Sequence, residues 1–289
     1  MQIIDGKKIR DEILEKVKQE VSSLSFQPIF CDVLVGDDLA SKQYVQMKGR
    51  TAEIVGIAFH TANFLSSINT NELIKEIEAL NKMPNMCGII IQLPLPSHID
   101  RQAVLDAIDQ KLDVDCLGTI ASQKFYNNYD KKNDLAFPTA LASLAVLDSL
   151  NFDNNPSTAL RTRKIVVLGQ GMLVGKPVTA LLRSRNLSPF TVDSKTTNKE
   201  ELIKDADIII SGLGKGGYIT GNLIKKGAIL IDAGTFETEG GIIGDVDLES
   251  VKDIAGYVSP VPGGVGPVTV AMLLNNVLTV AKSLPPPQG

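Results

Sequence analysis

Short apolar runs alternate with helical segments along the chain, and this alternation restricts the possible folds more than any other feature of the sequence. Runs such as Ile29–Val35 and 88–93 are apolar almost throughout, and Gly or Pro bounds them. The segments between them, such as 71–81, carry apolar residues at helical spacing. Apolar strands separated by helices are typical of a parallel sheet covered on both faces. The sequence therefore predicts an α/β fold.

The alternation stops once, near residues 136–160, and restarts at the apolar run 164–168. A chain of 289 residues is long enough for two domains of ordinary size. We therefore predict an N-terminal αβα domain with a parallel sheet over residues 1–138 and a second α/β domain over residues 139–266. The polar segment 151–158 is predicted to be a loop. The last segment, 267–289, is predicted to be a helix followed by a short disordered tail.

Composition excludes several classes of function. The 29 basic and 33 acidic side chains leave a net charge of −4, whereas nucleic-acid-binding domains usually carry a basic surplus. With two histidines and three scattered cysteines, the chain is expected to have neither a metal site nor a disulfide framework. The uncharged run 254–281 holds Pro and Gly through its first half, which is incompatible with a lipid-exposed helix. Since no signal peptide begins the sequence, we expect a cytoplasmic protein that binds neither membranes nor nucleic acid.

One stretch of the second half, KIVVLGQGMLVGKP over residues 164–177, carries a candidate nucleotide-binding turn. An apolar strand leads into Gly169 and Gly171, and Gly175 opens a helix, with Val174 where G-x-G-x-x-G has its third glycine. Glycine lets the backbone approach a phosphate, and the free N–H groups of a helix N-terminus bind anions. The alternative is an ordinary strand–turn–helix connection.

An acidic residue follows this turn at a characteristic distance. Asp193 ends the next apolar run, 24 residues after Gly169. An acid near this spacing commonly binds the ribose 2′-hydroxyl of NAD and repels the 2′-phosphate of NADP. Asp193 is equally consistent with a cap of the turn that continues through Ser194.

Two polar side chains of the first half are predicted to share one helix face. Tyr44 and Lys48, in the segment SKQYVQMKGR, stand at positions i and i+4. A tyrosine hydroxyl beside a buried lysine can bind a substrate and exchange protons with it. The alternative is a helix face exposed to solvent.

Further polar groups follow other apolar runs. Gln92 closes the strand in IIIQLPLP, where it either faces a ligand crevice or ties down the proline-rich loop behind it. Asp113 and Asp115 are predicted to lie on one side of an extended segment. They are consistent with ligands of a metal, with anchors of a pterin or base ring, or with acids that only stabilise a turn. The string SPVPGGVGPVTVAMLLNN, residues 259–276, predicts a rigid loop that exposes backbone N–H groups before a helix.

Taken in this order, these motifs closely resemble one family, the bifunctional methylenetetrahydrofolate dehydrogenase/methenyltetrahydrofolate cyclohydrolases. The likeness runs from VGDDLASKQYVQMK to PVPGGVGPVTVAMLLNN, so it spans almost the whole chain. It implies a Rossmann-type NAD(P)-binding domain over residues 139–266, a C-terminal helix that returns to the first domain, and a homodimer. It also implies oxidation of 5,10-methylenetetrahydrofolate with NAD or NADP and hydrolysis of the methenyl product to 10-formyltetrahydrofolate, without a metal, in one-carbon metabolism.

The resemblance implies roles for individual residues. Lys48 is the main catalytic group of the hydrolysis, and Gln92 tunes it. Tyr44 stacks on or orients the folate ring, and Asp115 holds the amino edge of the pterin. The implied folate site also includes Leu93, Pro262, Gly263 and Gly264. The implied nucleotide site consists of Gly169, Gln170, Gly171, Val174, Gly175, Asp193, Ser194 and Thr235.

The chain departs from the family pattern at three places. Cys116 replaces the glycine of the usual DVDG, and FPTALA at residues 137–142 replaces the usual PCTPxG. The cofactor turn has Gln170 and Gly171 where the usual GRS has the arginine and serine that commonly grip the 2′-phosphate of NADP. Since Asp193 adds a negative charge, we expect NAD to be preferred over NADP.

Two other functions are compatible with the sequence. One is a folate- or dinucleotide-binding regulatory protein that has lost turnover. The changed loops favour this alternative, whereas the four retained catalytic residues oppose it. The other is a dehydrogenase of the shikimate type, which pairs a lysine with an aspartate. Only the general architecture supports that second alternative.

Overall fold

The computed structural model describes residues 1–131, 134–150 and 160–284, and the chain divides into two compact units. The three-stranded unit comprises residues 12–138 and those from 273 onwards, and the six-stranded unit comprises residues 1–11 and 139–272. The predicted loop 151–158 and the predicted tail, residues 285–289, lie outside the described residues.

The three-stranded unit alternates strands and helices, as predicted. In its sheet, β2 (Ile29–Val35) lies between β3 (Ala58–Phe64) and β4 (Met86–Ile91), and both pairings are parallel. Every residue of β4 is buried, as expected in a sheet covered on both faces. The helices are most of α1 (Gly6–Val21), α2 (Leu39–Ile54), α3 (Thr70–Leu80), α4 (Arg101–Asp106) and α5 (Thr119–Asn128).

The six-stranded unit contains one parallel sheet. Its strands are β1 (Gln2–Ile3), β5 (Ile165–Leu168), β6 (Phe190–Val192), β7 (Ile208–Ser211), β8 (Ile229–Asp232) and β11 (Tyr257–Ser259). Within the described ranges it also contains an antiparallel hairpin, β9 (Phe236–Thr238) and β10 (Gly241–Ile243). The described helices include α6 (Pro138–Asp148), α7 (Gly175–Ser184), α8 (Lys199–Lys204) and α9 (Leu248–Val251).

The order of these strands, β1-β11-β8-β7-β5-β6, contains a reversal at β5. The chain passes from β5 to β6 on one side and then returns to pair β7 on the other. Such a switch point opens a crevice at the carboxyl end of the strand, where doubly wound sheets bind nucleotides. This is the Rossmann arrangement expected of the second domain.

The last helix, α10 (Val265–Ser283), belongs to both units. In the three-stranded unit, Asn276 Nδ2 donates hydrogen bonds to the carbonyl oxygens of Val114 and Ala136, at 2.8 and 2.7 Å. The predicted return of the C-terminal helix to the first domain is therefore confirmed. Within the described part of the chain, α10 is the one helix long and apolar enough to cross a membrane. Since 61% of its most apolar 18-residue stretch is buried inside the protein, this helix is weak evidence for a membrane span.

The observed elements differ from the predicted ones at several points. Residues 1–11 group with the six-stranded unit rather than with the first domain, because β1 pairs in parallel with β11. Strand β4 ends at Ile91, so Gln92 lies just beyond it. The periodicity of the sequence did not predict β1, α5, α9 or the β9–β10 hairpin. Helix α5 was missed because it is weakly amphipathic, and the others were missed because they are only two to four residues long.

Candidate active site

Lys48 lies on the buried face of α2. This helix begins at Asp38, whose side chain accepts a hydrogen bond from the N–H of Ser41 at 2.7 Å. The helix packs closely on β3 at Gly49, where an added Cβ would lie 2.4 Å from the Phe59 ring. Lys48, one position earlier, is only 3% exposed. The lysine is therefore not part of a solvated helix face.

Three side chains surround the Lys48 ammonium group. Its Nζ lies 2.7 Å from Oδ2 of Asp32 and 2.8 Å from Oε1 of Gln92. It also lies 4.8 Å from the centroid of the Tyr44 ring, close enough for a cation–π interaction. Tyr44 is 39% exposed, so the cluster reaches solvent on the tyrosine side.

Gln92 is held through both its backbone and its side chain. Its N–H donates to the carbonyl oxygen of Val33 at 2.9 Å. Its Nε2 donates to the carbonyl oxygen of Leu93 at 2.8 Å, which leaves Oε1 to accept from Lys48. The two interpretations of Gln92 are therefore compatible, because one amide ties down the following loop and also contacts the lysine.

Asp113 and Asp115, in the loop after α4, have different environments. Asp113 is 1% exposed, and its Oδ2 accepts the N–H of Gly118 at 2.7 Å, so this carboxylate holds its own loop together. Burial raises the pKa of Asp113 to about 6, against the opposing effect of nearby backbone N–H groups. Asp115 instead interacts electrostatically with Lys48 and Tyr44. Burial raises the pKa of Asp115 to about 7, and the charge of Lys48 opposes that rise.

Cys116 occupies a backbone conformation that favours glycine. Its φ is +59°, in the left-handed region, and its side chain is 1% exposed. The usual DVDG pattern of the family has a physical reason here, because glycine adopts this conformation without strain. The cysteine keeps the turn after Asp115 at a cost of about 1–2 kcal/mol.

The glycine-rich turn is closely packed and fits a dinucleotide pyrophosphate. Gly169 has a φ of +81°, and its carbonyl oxygen would lie 1.7 Å from a Cβ on Gly175. A Cβ on Gly171 would meet nothing within 4 Å, which leaves space beside the turn. Helix α7 begins after Val174 with no side-chain cap. The N–H of Lys176 donates to the carbonyl oxygen of Gly171 at 3.2 Å, and Pro177 has no N–H. The N–H of Gly175 is therefore left for an anion at this helix start.

Asp193 follows β6 at the same edge of the sheet, where the N–H of Gly169 donates to the carbonyl oxygen of the last β6 residue at 2.8 Å. Oδ1 of Asp193 accepts the N–H of Lys195 at 2.8 Å and the hydroxyl of Thr196 at 3.1 Å. These donors hold the pKa of Asp193 below its usual range. Among the other predicted nucleotide-site residues, Ser194 and Thr235 are exposed.

The predicted folate-site residues Pro262, Gly263 and Gly264 lie in the loop before α10, in the six-stranded unit. The N–H of Gly264 donates to the carbonyl oxygen of Pro260 at 2.7 Å. The N–H of Gly6 donates to the carbonyl oxygen of Gly263 at 3.1 Å. The structure thus brings this loop together with the start of α1. Lys48, Asp32, Gln92 and Tyr44 all belong to the three-stranded unit.

Three buried aspartates do not belong to any predicted motif. Asp245 accepts the Ser211 hydroxyl at 2.6 Å, and Asp232 accepts the N–H of Val246 at 2.8 Å, so both brace loops beyond β7 and β8. Asp32, the ion-pair partner of the lysine, is the third. The sequence did carry a signal for Asp32 and Asp232, because each is a single acid within or at the end of an apolar strand. An acid in such a strand is expected to be buried and paired.

The six-stranded unit places the chain among the α/β dehydrogenases, since a glycine-rich turn at a switch point is a dinucleotide-binding arrangement. The other unit contains the buried lysine Lys48, a type of group that can exchange protons with a ligand. Two family models match the chain: "Tetrahydrofolate dehydrogenase/cyclohydrolase, catalytic domain" at residues 4–115, and the NAD(P)-binding domain of the same family at residues 142–284. The chain belongs to the tetrahydrofolate dehydrogenase/cyclohydrolase family of enzymes.

Known proteins are similar over nearly the whole chain. A bifunctional protein FolD from a Nitratiruptor species is 40% identical over 286 residues, covering 98% of each chain. The structure of the bifunctional enzyme FolD from Campylobacter jejuni is 32% identical with a TM-score of 0.90, covering 98% of this chain and 99% of that one. The FolD of Trypanosoma brucei, solved with NADP and an inhibitor, is 30% identical with a TM-score of 0.87, covering 97% of both.

These similarities confirm the predicted family and fold class. They do not favour the two alternatives, a binding protein without turnover and a dehydrogenase of the shikimate type. Within the described ranges, no group of three or more His, Cys, Asp or Glu side chains is arranged to hold a metal ion. The roles of the individual site residues stay predictions.

Proposed function

We propose that the chain catalyses both reactions of its family, the oxidation of 5,10-methylenetetrahydrofolate with a nicotinamide dinucleotide and the hydrolysis of the methenyl product to 10-formyltetrahydrofolate. The observation that carries this proposal is the buried Lys48 ammonium group, with Asp32 at 2.7 Å and Gln92 at 2.8 Å. A buried charge costs free energy, so a lysine in this position is expected to serve a function. Family membership supplies the substrate class.

In the oxidation, the six-stranded unit holds the dinucleotide and the three-stranded unit binds the folate. The bound dinucleotide supplies the hydride acceptor. Gly169 and Gly175 allow the backbone and the N-terminus of α7 to approach its pyrophosphate. Tyr44 orients the folate ring, and Asp115 accepts hydrogen bonds from the amino edge of the pterin. The methylene carbon loses a hydride and becomes a methenyl cation.

In the hydrolysis, water adds to the methenyl carbon, and Lys48 exchanges the protons that the addition and the ring opening require. Gln92 orients Nζ through its 2.8 Å hydrogen bond, and the Tyr44 ring stabilises the ammonium form. The bond from the carbon to N5 breaks, N5 takes a proton, and the carbon becomes the 10-formyl group. No step requires a metal ion.

A steady-state assay of the purified protein tests this proposal. With 5,10-methylenetetrahydrofolate and NAD or NADP, we expect reduced nucleotide and methenyl product to form. With the methenyl substrate alone, we expect hydrolysis without nucleotide. If the folded protein turned over neither substrate, the binding-protein alternative would replace the proposal. Turnover of shikimate in place of folate would contradict it directly.

We also propose that NAD is the preferred dinucleotide. Gln170 carries no charge, and its Nε2 donates to the carbonyl oxygen of Gly169 at 2.9 Å. Asp193 is held in its charged form, because the N–H of Lys195 and the hydroxyl of Thr196 donate to it. A carboxylate at the end of this strand accepts a hydrogen bond from a ribose 2′-hydroxyl and repels a 2′-phosphate.

The double variant Gln170→Arg, Asp193→Ala tests the preference. It adds a positive charge and removes a negative one, so we expect the NADP/NAD ratio of kcat/KM to rise about tenfold or more. As a control, Asp205→Ala removes an exposed charge that pairs with Lys164, away from the turn, and should leave the ratio unchanged. An unchanged ratio in the double variant would mean that Asp193 only caps its turn.

We further propose that the three-stranded unit is the folate domain and the six-stranded unit the nucleotide domain. The protein is proposed to act in the cytoplasm as a homodimer that binds neither nucleic acid nor membranes. Resemblance to the family supports the dimer, and the net charge of −4 supports the absence of a nucleic-acid partner. Light scattering tests the dimer, since the expected mass is twice that of one chain.

A further inference from the structure

Asp32 is a buried carboxylate without backbone donors. It lies in the middle of β2, and it is 0% exposed. Its Oδ2 lies 2.7 Å from Lys48 Nζ. Apart from this ion pair, neither of its carboxylate oxygens has a hydrogen-bond partner among the described residues. An anion in such surroundings is costly, because nothing except the lysine replaces its lost hydration.

The other buried aspartates behave differently. Asp113 accepts the backbone N–H of Gly118 at 2.7 Å, and Asp245 accepts that of Lys215 at 2.6 Å, so each holds a loop in place. The Asp32 carboxylate holds no loop, because it accepts no backbone N–H from the described residues. Its burial therefore serves the lysine rather than the fold.

We propose that Asp32 is the proton-holding partner of Lys48 in the hydrolysis, taking the ammonium proton and leaving the neutral amine that activates water. This inference rests on the proposed function and deepens it. Asp32 acts through Lys48 and does not itself contact the substrate, so it is a positioning and proton-holding residue.

The ammonium proton moves from Nζ of Lys48 to Oδ2 of Asp32. The amine takes one proton from water as the water oxygen bonds to the methenyl carbon, and it delivers that proton to N5 as the bond from carbon to N5 breaks. The hydroxyl proton of the intermediate leaves for solvent as the formyl carbonyl forms. The proton on Asp32 then returns to Nζ, so one proton is released in each turnover.

The surroundings of the pair support this transfer. The pair carries no net charge in either form, so burial does not oppose the exchange of the proton. Burial also raises the pKa of Asp32, against the opposing charge of Lys48, so this carboxyl can hold a proton. The ion pair places donor and acceptor atoms at hydrogen-bond distance.

Other titratable groups interact electrostatically with the pair, and they determine the pH range of the test. Tyr44 of α2 has its pKa raised to about 12 by burial and by the charges of Asp115 and Asp32. Cys31 of β2 has its pKa raised to about 12, mainly by burial. Asp115, from the loop after α4, has a pKa of about 7. A range between about pH 8 and pH 10 therefore lies above the pKa of Asp115 and below the pKa values of Tyr44 and Cys31.

Asp32→Asn tests the proposal, because asparagine keeps the shape but cannot take the proton. At about pH 8, we expect kcat for methenyl hydrolysis to fall about 100-fold, with KM changed less than about twofold. The rate of the variant should then rise with pH between about pH 8 and about pH 10, because solvent must remove the ammonium proton. Oxidation of the methylene substrate should be retained. A wild-type rate of hydrolysis, or a low rate at every pH, would overturn the proposal.

The unsubstituted protein provides a second test, which stands even if the variant does not fold. Its hydrolysis rate should stay flat from about pH 8 to about pH 10, because the proton moves within the pair. A tenfold rise per pH unit would overturn the proposal. Ile29→Val, which removes one methyl group at the partly buried start of the same strand, is the control and should leave both activities unchanged. If the unsubstituted protein did not hydrolyse the methenyl substrate at all, the proposed function would fail, and this inference with it.

Discussion

Replacing Lys48 by Met is expected to lower the rate of methenyl hydrolysis by about 1,000-fold, because the methionine fills the space of the lysine stem but offers no proton. The residues proposed to bind the dinucleotide belong to the six-stranded unit, so its affinity should change little. The measurement is kcat for hydrolysis together with the Kd of the nucleotide. Full hydrolysis by the variant would remove Lys48 from its assigned role.

The same variant should also lose stability, because it leaves Asp32 buried without its ion-pair partner. The expected loss is about 3–5 kcal/mol near neutral pH. Burial places the pKa of Asp32 above its unfolded value, so the folded state binds the proton more tightly and loses stability as the pH rises. The loss should therefore be smaller at acidic pH, as measured by urea unfolding at two pH values.

Two controls separate this loss of stability from the loss of chemistry. Asp32→Leu combined with Lys48→Met removes both charges and should recover stability without recovering hydrolysis. Lys42→Met changes an exposed lysine of the same helix and should leave hydrolysis and stability nearly unchanged. If hydrolysis returned together with stability in the double variant, the chemical role of the lysine would be contradicted.

Gly175→Ala is expected to abolish most dehydrogenase activity, by about 100-fold or more in kcat/KM. An added Cβ would lie 1.7 Å from the carbonyl oxygen of Gly169, so α7 must move away from the turn. The shift removes the helix N-terminus from the proposed pyrophosphate position, and overpacking costs about 1–3 kcal/mol of stability. Hydrolysis of supplied methenyl substrate should persist, because Lys48 lies in the other unit.

The same substitution at Gly171 is the matched control for stability. A Cβ there would meet nothing within 4 Å, so Gly171→Ala should unfold at the same urea concentration as the unsubstituted protein. The measurements are urea unfolding and nucleotide titration of both variants. A Gly175→Ala protein with unchanged nucleotide affinity would show that the start of α7 does not form the nucleotide site.

The fold class followed from the sequence, because local patterns determine it. Strand β2 was predicted with its observed bounds, Ile29–Val35, since a run of apolar residues between Pro28 and Gly36 has few other uses in a parallel sheet. The close approach at Gly175 was signalled by glycine itself. Tyr44 and Lys48 were placed on one helix face by their spacing, and their contact is observed.

Tertiary structure decided the features that depend on partners distant in the chain. Strand β1 has two residues and no pattern of its own, and it exists because it pairs with β11. Asp113 and Asp115 look alike in the sequence, yet the first accepts the N–H of Gly118 while the second interacts with Lys48. The two carboxylates have different partners because the folded loop gives them different surroundings. Their spacing along the sequence does not reveal those surroundings.

Patterns within the sequence were sufficient to predict the α/β fold, the family, the glycine-rich turn and the helix face that carries Lys48. These properties depend on periodicity, glycine geometry and i,i+4 spacing, all of which act over a few residues. Only the tertiary structure placed Asp32 at 2.7 Å from that lysine. The physical reason is that burial and electrostatic pairing arise between elements, since the strand and the helix acquire a common low-dielectric environment only when they pack together.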